Sequence, residues 1–335
     1  MAEVILGLGS SHTPLLALPA HEWLKRAEAD YANPKLNLSD GRMLSYEELA
    51  KETGSPHSIN VEELQAKADA CQAALDRLAD ELEAANPDVV IIVGDDQQEL
   101  FDSSNQPAIA IYWGEQVRTH SQYAVESLPD WVRRVGDEYM MDTVHDLPGA
   151  PDLGFEVIEG LLARDVDVAS CSRVEDPTVA GFGHAFGFIV KRLMRGKAIP
   201  VLPILLNTYY PPNVPSARRC HDIGRALHDT LKAVKSQARA AIVASGGLSH
   251  FVVDEVLDRR VLASFGPGAQ RELRAIERGA LNSGSSEILN WVLTAGAVGP
   301  LPLSWSEYQP IYRTPAGTGV GVAFAAWGGC RDLCR

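Results

Sequence analysis

Three histidines and one glutamate occupy similar places along this chain, and their side chains could do chemistry together. His12 follows the first apolar run of the sequence, and His250 follows another apolar run that ends in two glycines. His184 and Glu287 each stand where a helix is expected to begin. Imidazole and carboxylate groups bind Fe(II) and Zn²⁺, and an unliganded histidine can transfer a proton near neutral pH.

Each of these residues also has an ordinary structural interpretation. A single histidine beside a glycine turn is often only a polar loop residue. The chain has no His-x-x-x-His, His-Glu-x-x-His or Cys-x-x-Cys spacing, so spacing alone does not establish a metal site. It also lacks a Gly-x-Ser-x-Gly elbow and a Walker-type loop. What favours a site is that several separate segments end in the same way.

Apolar strand patterns alternate with helical patterns, which predicts an α/β fold. We expect one catalytic domain over residues 1–335, with a mixed central sheet flanked by helices. Sites in such folds form at the carboxyl ends of strands, so the histidines should meet at one edge of the sheet. The main predicted strands are 4–9, 89–94, 108–112, 166–169, 199–206, 241–244 and 317–324, and the main predicted helices are 61–85, 154–164, 185–194, 217–236, 257–264 and 270–279.

Residues 21–60 form a long polar excursion between the first strand and the next long helix. We interpret this segment as an insertion that acts as a lid or an oligomer contact. A homo-oligomer, specifically a dimer, is the expected assembly. His57 lies in this segment after Ser55-Pro56 and is expected to be a solvated loop histidine.

Composition limits the classes of ligand and the cell compartment that we expect for this protein. The net charge of −14 argues against nucleic acid as a ligand, because phosphate contacts need a basic face. Five cysteines, an odd number that includes Cys330 and Cys334 near the end, fit reduced thiols in a cytoplasmic protein. We expect no signal peptide, and no apolar run reaches the length of a membrane span.

A set of short motifs, in a fixed order, resembles the LigB-type (class III) extradiol ring-cleavage dioxygenases. The resemblance is closest to the longer single-chain enzymes that act on gallate-like and lignin-derived catechols, such as 3-O-methylgallate dioxygenase. The motifs are Ser-Ser-His-Thr-Pro at 10–14, Pro-Asp-Val-Val-Ile at 87–91 with the acidic turn that follows, Gly183-His184, Tyr210-Pro-Pro, Ser-Gly-Gly-Leu-Ser-His at 245–250, and Glu287 four residues before Trp291.

The resemblance implies a non-heme Fe(II) centre that uses O2 to open the ring of a small aromatic diol. His12 and Glu287 match two of the family's three metal ligands. His250 matches the catalytic acid/base, and His184 matches a second catalytic histidine that contacts the substrate or bound oxygen. Tyr209 and Tyr210 are candidates for the wall of the substrate pocket.

The third metal ligand departs from the family pattern. Shorter members have a histidine in an Asn-Asp-His turn, and here Gln97 occupies that place after Asp95-Asp96. Either Gln97 is a ligand, or a residue of the insertion such as His57 replaces it, or the iron site is altered. Two other functions stay open. One is a non-enzymatic metal-binding relative, and the other is a metal-dependent hydrolase that uses His12, Glu287 and the acidic turn at 95–96.

Overall fold

An eight-stranded mixed sheet runs through the molecule and carries the candidate residues at one edge. The computed structural model describes residues 1–266 and 268–329, so Cys330 and Cys334 lie outside the described residues. The strands are β1 Glu3–Ser10, β2 Leu36–Asn37, β3 Met43–Leu44, β4 Val89–Asp95, β5 Ile109–Tyr112, β6 Gln116–Arg118, β7 Asp146–Pro148, β8 Ala169–Cys171, β9 Val201–Leu206, β10 Arg239–Ser245, β11 Leu303–Tyr312 and β12 Gly319–Trp327.

The helices surround this sheet, and short 3₁₀ helices lie near its site-bearing edge. The α-helices are α1 Ala27–Ala32, α2 Tyr46–Thr53, α3 Val61–Ala85, α4 Asp130–Glu138, α5 Pro151–Leu162, α6 His184–Arg192, α7 Ala217–Ala233, α8 Glu255–Ala263, α9 Gln270–Arg274 and α10 Ile288–Ala297. The 3₁₀ helices are Pro14–Ala17, Ala20–Arg26, Arg278–Ala280 and Ser283–Glu287. Among the described residues, no helix is both long and apolar enough to cross a membrane.

The sheet order is β11-β12-β1-β10-β4-β9-β5-β8. The four central strands β1, β10, β4 and β9 are mutually parallel, whereas β12 pairs antiparallel with β1 and β5 pairs antiparallel with β9. The carboxyl ends of the four parallel strands therefore meet at one edge. The structure confirms the α/β class with a mixed central sheet flanked by helices.

Side chains of each central strand alternate between two hydrophobic layers, as a period of two requires. On β4, Ile91 and Val93 pack with α5, α7 and α10, whereas Val90 and Ile92 pack with α3 and α6. Helix α3 matches its predicted bounds, and the six apolar residues that predicted it are buried: Leu64, Ala68, Cys71, Leu75, Leu78 and Leu82. Burial on both faces explains why the strands read as continuous apolar runs.

Two predicted elements have different bounds in the structure, and one strand of the main sheet was not predicted. The strand expected at 166–169 begins only at Ala169, because the N–H of Val166 still bonds the Leu161 carbonyl at the end of α5. The helix expected at 270–279 ends at Arg274. Strand β11 has no counterpart in the predictions, because it is an edge strand whose alternating polar residues and Pro310 conceal any apolar run.

The segment 21–60 is more ordered than its polar composition suggested. It contains α1, the paired short strands β2 and β3, and α2 with a capping box at Ser45 and Glu48. Trp23 is buried, and its indole N–H donates to the carbonyls of Leu15 and Leu18 at 2.8 and 3.0 Å. The segment therefore packs on the main body, and its role as a lid stays a prediction.

Candidate active site and metal centre

The carboxyl edge of the parallel strands opens into a cavity of about 280 Å³. Because β1, β4 and β10 end at Ser10, Asp95 and Ser245, the residues that follow these strands project together into this space. The residues that line the cavity include His12, Gln97, Glu99, His184, Tyr209, His250 and Glu287, together with Arg26, Tyr123, Tyr139 and Arg313. Segments far apart in the sequence thus form one site.

Glu287 stands between two imidazoles at the last residue of the 3₁₀ helix that leads into α10. Its Oε2 lies 3.2 Å from His12 Nε2, and its Oε1 lies 3.3 Å from His250 Nε2. The backbone N–H of Gly247 also donates to Oε2 at 2.6 Å. Burial would raise the pKa of Glu287, but the imidazoles of His250 and His12 outweigh it and hold the pKa well below its usual range. The carboxylate is therefore anionic.

The hydrogen bonds around His12 fix its tautomer. The Ser245 hydroxyl donates to the Ala185 carbonyl at 2.6 Å, so Ser245 Oγ must accept the proton of His12 Nδ1 at 2.9 Å. His12 Nε2 is then the ring nitrogen that faces Glu287. It is buried, and within residues 1–266 and 268–329 it is not paired in a hydrogen bond. A buried nitrogen of this kind beside a carboxylate suits a metal ion.

His250 is presented by a tight turn after β10. Its Nδ1 donates to the Leu248 carbonyl at 2.9 Å, and its Nε2 faces Glu287. A Cβ on Gly284 would collide with the His250 ring, so glycine is required there for the ring to pack. Burial lowers the pKa of His250, but Glu287 outweighs it and the net pKa is raised. This ring is therefore placed to hold and release a proton.

His184 begins α6 and is held by a carboxylate that sequence reasoning had not singled out. His184 Nδ1 lies 2.6 Å from Glu99 Oε1, and the His184 backbone N–H donates to the same oxygen at 3.1 Å. A Cβ at Gly183 would overlap the Glu99 carboxylate, which explains the glycine before the histidine. Burial lowers the pKa of His184, but the Glu99 carboxylate outweighs it and raises the pKa to about 10. His184 is therefore cationic.

Asp95 provides a second set of potential metal ligands. One ligand atom each from His12, Asp95 and His184 lies within 4.8 Å of the others, and all three residues are buried. Asn290 Nδ2 donates to Asp95 Oδ1 at 3.1 Å. Burial and the nearby Glu287 carboxylate raise the pKa of Asp95, as expected for two buried acids close together. The sequence assigned the acidic turn at 95–96 a role only in the alternative of a metal-dependent hydrolase.

Gln97 lies inside the site, and His57 does not. Gln97 Nε2 is 3.1 Å from Asp95 Oδ2 and 3.4 Å from Glu287 Oε1, so its amide contacts the same carboxylates. Coordination through the amide oxygen would require the opposite amide orientation. His57 stacks on Tyr312 with ring centroids 3.7 Å apart and lines a separate pocket.

The two tyrosines of the rigid loop are placed differently. Tyr209 lines the cavity, whereas Tyr210 turns back on its own loop, where its N–H donates to Asn207 Oδ1 at 2.9 Å. Tyr139, which no motif had indicated, also lines the cavity, and its hydroxyl donates to the His12 carbonyl at 2.7 Å. Aromatic rings therefore form part of the wall around the histidine and carboxylate cluster.

Comparison with known proteins identifies the family to which this chain belongs. Residues 54–322 match the family described as the catalytic LigB subunit of aromatic ring-opening dioxygenases. The chain belongs to this family. A 2,3-dihydroxyphenylpropionate/2,3-dihydroxicinnamic acid 1,2-dioxygenase from Cupriavidus necator is 32% identical over 104 residues, and so is a protein of the same name from Cupriavidus pinatubonensis. Each alignment covers 31% of this chain and 31% of the relative.

The residues matched by the LigB family include most of the site residues but not all of them. Gln97, His184, His250 and Glu287 fall inside the matched residues, whereas His12 lies before them. The structure nevertheless places His12 Nε2 within 3.2 Å of Glu287, so the unmatched start of the chain contributes to the same cluster. The buried histidine and carboxylate groups of this cluster could hold a metal ion.

Proposed function

We propose that this LigB family member is a non-heme Fe(II)-dependent extradiol dioxygenase. Its substrate is a catechol- or gallate-type aromatic, derived from lignin, and both atoms of O2 enter the product. The observation that carries the proposal is His12 Nε2, a buried nitrogen that makes no hydrogen bond among the described residues and lies 3.2 Å from the Glu287 carboxylate. An imidazole beside a carboxylate, with further room in the cavity, is a donor set that suits Fe(II) in oxygen chemistry.

In this proposal His12 and Glu287 hold the iron, and Gln97 or Asp95 supplies the third ligand. Gln97 occupies the place of the family's histidine, whereas Asp95 is the stronger donor of the two and already lies within ligand distance of His12. Bound Fe(II) would hold the diol and O2 next to each other and pass electrons between them. The ring bond that breaks lies beside the two hydroxyls.

The proton chemistry is assigned to His250. Its Nε2 is the ring atom that faces the cavity and Glu287, because Nδ1 is engaged by the Leu248 carbonyl. Nε2 would take a proton from a substrate hydroxyl and later return it to a departing oxygen, which is a general acid–base role. His184, kept cationic by Glu99, would donate a hydrogen bond to negative charge that develops on oxygen.

The wall of the cavity would hold the aromatic ring. Tyr209 is our proposed stacking partner because it lines the cavity beside the cluster. Tyr210 would act through its neighbour, since its ring centroid lies 6.0 Å from that of Tyr209 and its backbone fixes the loop.

The test is oxygen uptake after metal reconstitution. Demetallated protein is loaded anaerobically with Fe(II) or Zn²⁺ and then given O2 with a panel of catechols that includes gallate and 3-O-methylgallate. We expect O2 uptake and a ring-opened product with iron alone. Tight binding of Zn²⁺ in preference to Fe(II), without O2 uptake, would support the metal-dependent hydrolase instead. Weak binding of both metals, without turnover, would support a non-enzymatic relative of the same fold.

A further inference from the structure

The cavity also contains a cation from the segment that precedes the LigB match. Arg26 is the last residue of the 3₁₀ helix Ala20–Arg26, is half-buried, and lines the same cavity as His12 and Glu287. Across residues 1–266 and 268–329, its guanidinium forms neither a salt bridge nor a hydrogen bond, and its one charge-related contact is with the Trp131 ring, whose centroid lies 5.8 Å away. A half-buried cation in a pocket wall without a carboxylate partner is unusual, because burial of charge is normally compensated by an opposite charge.

The neighbouring cations are paired, which makes Arg26 distinct. Lys25 Nζ lies 3.3 Å from Glu22, on a surface outside the cavity. Arg313, which also lines the cavity, donates from Nε and Nη2 to the two oxygens of Asp30 at 2.8 and 2.9 Å.

Asp30 has little capacity left for a second arginine. Its Oδ2 also accepts the hydroxyl of Thr318 at 2.9 Å. Asp30 is thus engaged by Arg313 and Thr318, and Arg26 has no carboxylate of its own among the described residues. In agreement, burial and the nearby Arg313 lower the pKa of Arg26, which shows that the surroundings do not fully stabilise its charge.

Tyr123 adds a neutral hydrogen-bond donor to the cavity. Its side chain is partly buried and lines the cavity with Arg26, and its hydroxyl has no hydrogen bond within the part of the chain that the structure describes. Glu99 and Glu287 line the same cavity, next to the histidines. An aromatic ring that fills the space would therefore share the cavity with both the metal-binding cluster and the Arg26 guanidinium.

We propose that Arg26 and the Tyr123 hydroxyl form a subsite that binds a carboxylate carried on the substrate ring. This inference rests on the proposed function, because it assumes that the diol end of the substrate faces His12 and Glu287. A guanidinium matches a carboxylate with two parallel N–H···O bonds, and a single uncompensated charge fits a monoanion. The segment 21–60 would then select substrates rather than only cover the site.

Binding to the metal-free protein tests the subsite without requiring turnover. Titration calorimetry compares 3,4-dihydroxybenzoate with the neutral 3,4-dihydroxybenzamide, which keeps the ring and both hydroxyls. We expect the wild-type protein to bind the acid at least about 10-fold more tightly than the amide. Arg26→Gln should weaken binding of the acid by about 10- to 100-fold, as expected for a charge-assisted pair, and leave the amide within about 2-fold.

Three further variants keep the test decisive. Lys25→Gln, the matched control, removes the adjacent paired cation and should change neither affinity. Arg26→Lys keeps the charge but loses the two-bond geometry, so its affinity for the acid should be intermediate. Tyr123→Phe should weaken acid binding several-fold and spare the amide, which provides a second reading if Arg26→Gln folds poorly in a melting experiment.

The outcomes separate this inference from the proposed function. Equal binding of acid and amide by the wild-type protein, or an equal effect of Lys25→Gln and Arg26→Gln, would overturn the subsite even if iron-dependent O2 uptake is found. A preserved preference for the acid that depends on Arg26 supports the subsite even if no O2 uptake is found, in which case the dioxygenase assignment alone fails.

Discussion

Two regions build this cavity in different ways. The strand-end cluster is formed largely by residues that follow β1, β4 and β10, and its side chains are buried or partly buried and held by hydrogen bonds. The segment 21–60 contributes from short 3₁₀ turns and two-residue strands, and its cavity residue Arg26 is half-buried and has no ion pair within the described residues. Rigid strand ends suit chemistry that depends on geometry, whereas a loop-like segment suits recognition that varies among relatives.

The two regions are joined at Asn37. Its Nδ2 donates to the His250 carbonyl at 3.0 Å and the Asn282 carbonyl at 3.1 Å, and its Oδ1 accepts the Phe251 N–H at 2.9 Å. One buried amide of the segment therefore fixes the backbone that presents His250. The segment does more than form a wall, and the predictions below separate its contribution from that of the strand ends.

The largest effect is expected at the strand-end cluster itself. His12→Ala and Glu287→Ala should each abolish tight Fe(II) binding and turnover, because each removes a direct donor, while the folded state should persist. Iron content after reconstitution and the melting curve are the measurements. His21→Ala, at an exposed histidine of the segment 21–60, should bind iron normally.

Glu287→Gln makes this test sharper because it keeps the shape and removes the charge. We expect iron affinity to fall even though an acceptor for the Gly247 N–H remains. Full iron occupancy in either alanine variant would remove that residue from the proposed metal centre.

The second prediction concerns His250, which touches substrate in our proposal but does not bind the metal. His250→Phe should leave iron content intact and lower turnover per iron by about 10²- to 10⁴-fold, the usual range for general acid–base catalysis. Turnover should also depend on pH through this imidazole, and that pH dependence should vanish in the variant. Unchanged turnover per iron would return His250 to a structural role.

The third prediction tests whether Gln97 or His57 replaces the histidine that is missing from the family's metal triad. Gln97→Ala should lower iron affinity by about 10-fold, and Gln97→His should retain or strengthen binding because imidazole is the better donor. His57→Ala serves as the control and should have no effect, since His57 stacks on Tyr312 in another pocket. If His57→Ala loses iron and Gln97→Ala does not, the segment 21–60 supplies the ligand.

The fourth prediction tests the junction between the regions. Asn37→Ala should reduce turnover per iron by about 10-fold with unchanged iron content, because the His250 turn loses two hydrogen bonds from the segment and the neighbouring Asn282 carbonyl loses a third. Asn33→Ala, which removes only a surface turn contact to the Lys35 N–H, is the matched control. Equal activity of the two variants would show that the strand end positions His250 unaided.

How far the sequence predicts this site depends on which interactions place each residue. His12 and His250 follow apolar runs of buried strands, so local pattern alone puts them at the same edge. Glu99 and Asn37 act through partners 85 and 213 residues away, and no local pattern reveals such contacts. Strand β11 was not predicted for a related reason. It is a strand because it pairs with β12, and its own residues do not form an apolar run.

Glu287 and Arg26 illustrate the same limit within the cavity. The position of Glu287 before an apolar helix could be read from the sequence, but its bridge between two imidazoles depends on the ends of the neighbouring parallel strands β1 and β10. Arg26 lies in a polar segment among other charged residues, and only the structure shows that it lacks the ion pair that its neighbour Lys25 has. Whether a charged side chain has an oppositely charged partner depends on tertiary contacts. The sequence alone therefore does not show which cation of such a segment is functional.

The smallest effect is expected from Asp258, whose carboxyl is hydrogen-bonded to Ser249, the residue before His250. Its carboxyl accepts the Ser249 N–H at 2.8 Å, the Ser249 hydroxyl at 2.7 Å and the Tyr308 hydroxyl at 2.7 Å. Burial outweighs these bonds and raises the pKa of Asp258 to about 6. Because the folded-state pKa is above the unfolded value of about 3.9, the folded state favours the protonated acid.

This group therefore contributes stability that is fully present below about pH 4 and is lost as the pH rises through about 6, on the order of 3 kcal/mol in total. Asp258→Asn has no carboxyl to titrate, so the difference in unfolding free energy between wild type and variant should change across this window and level off above it. Urea unfolding at several pH values measures that difference, with Tyr308→Phe as the control that removes one hydrogen bond but keeps the titrating group. A difference that stays constant from pH 4 to 7 would show that Asp258 is ionised throughout and that its three donors outweigh its burial.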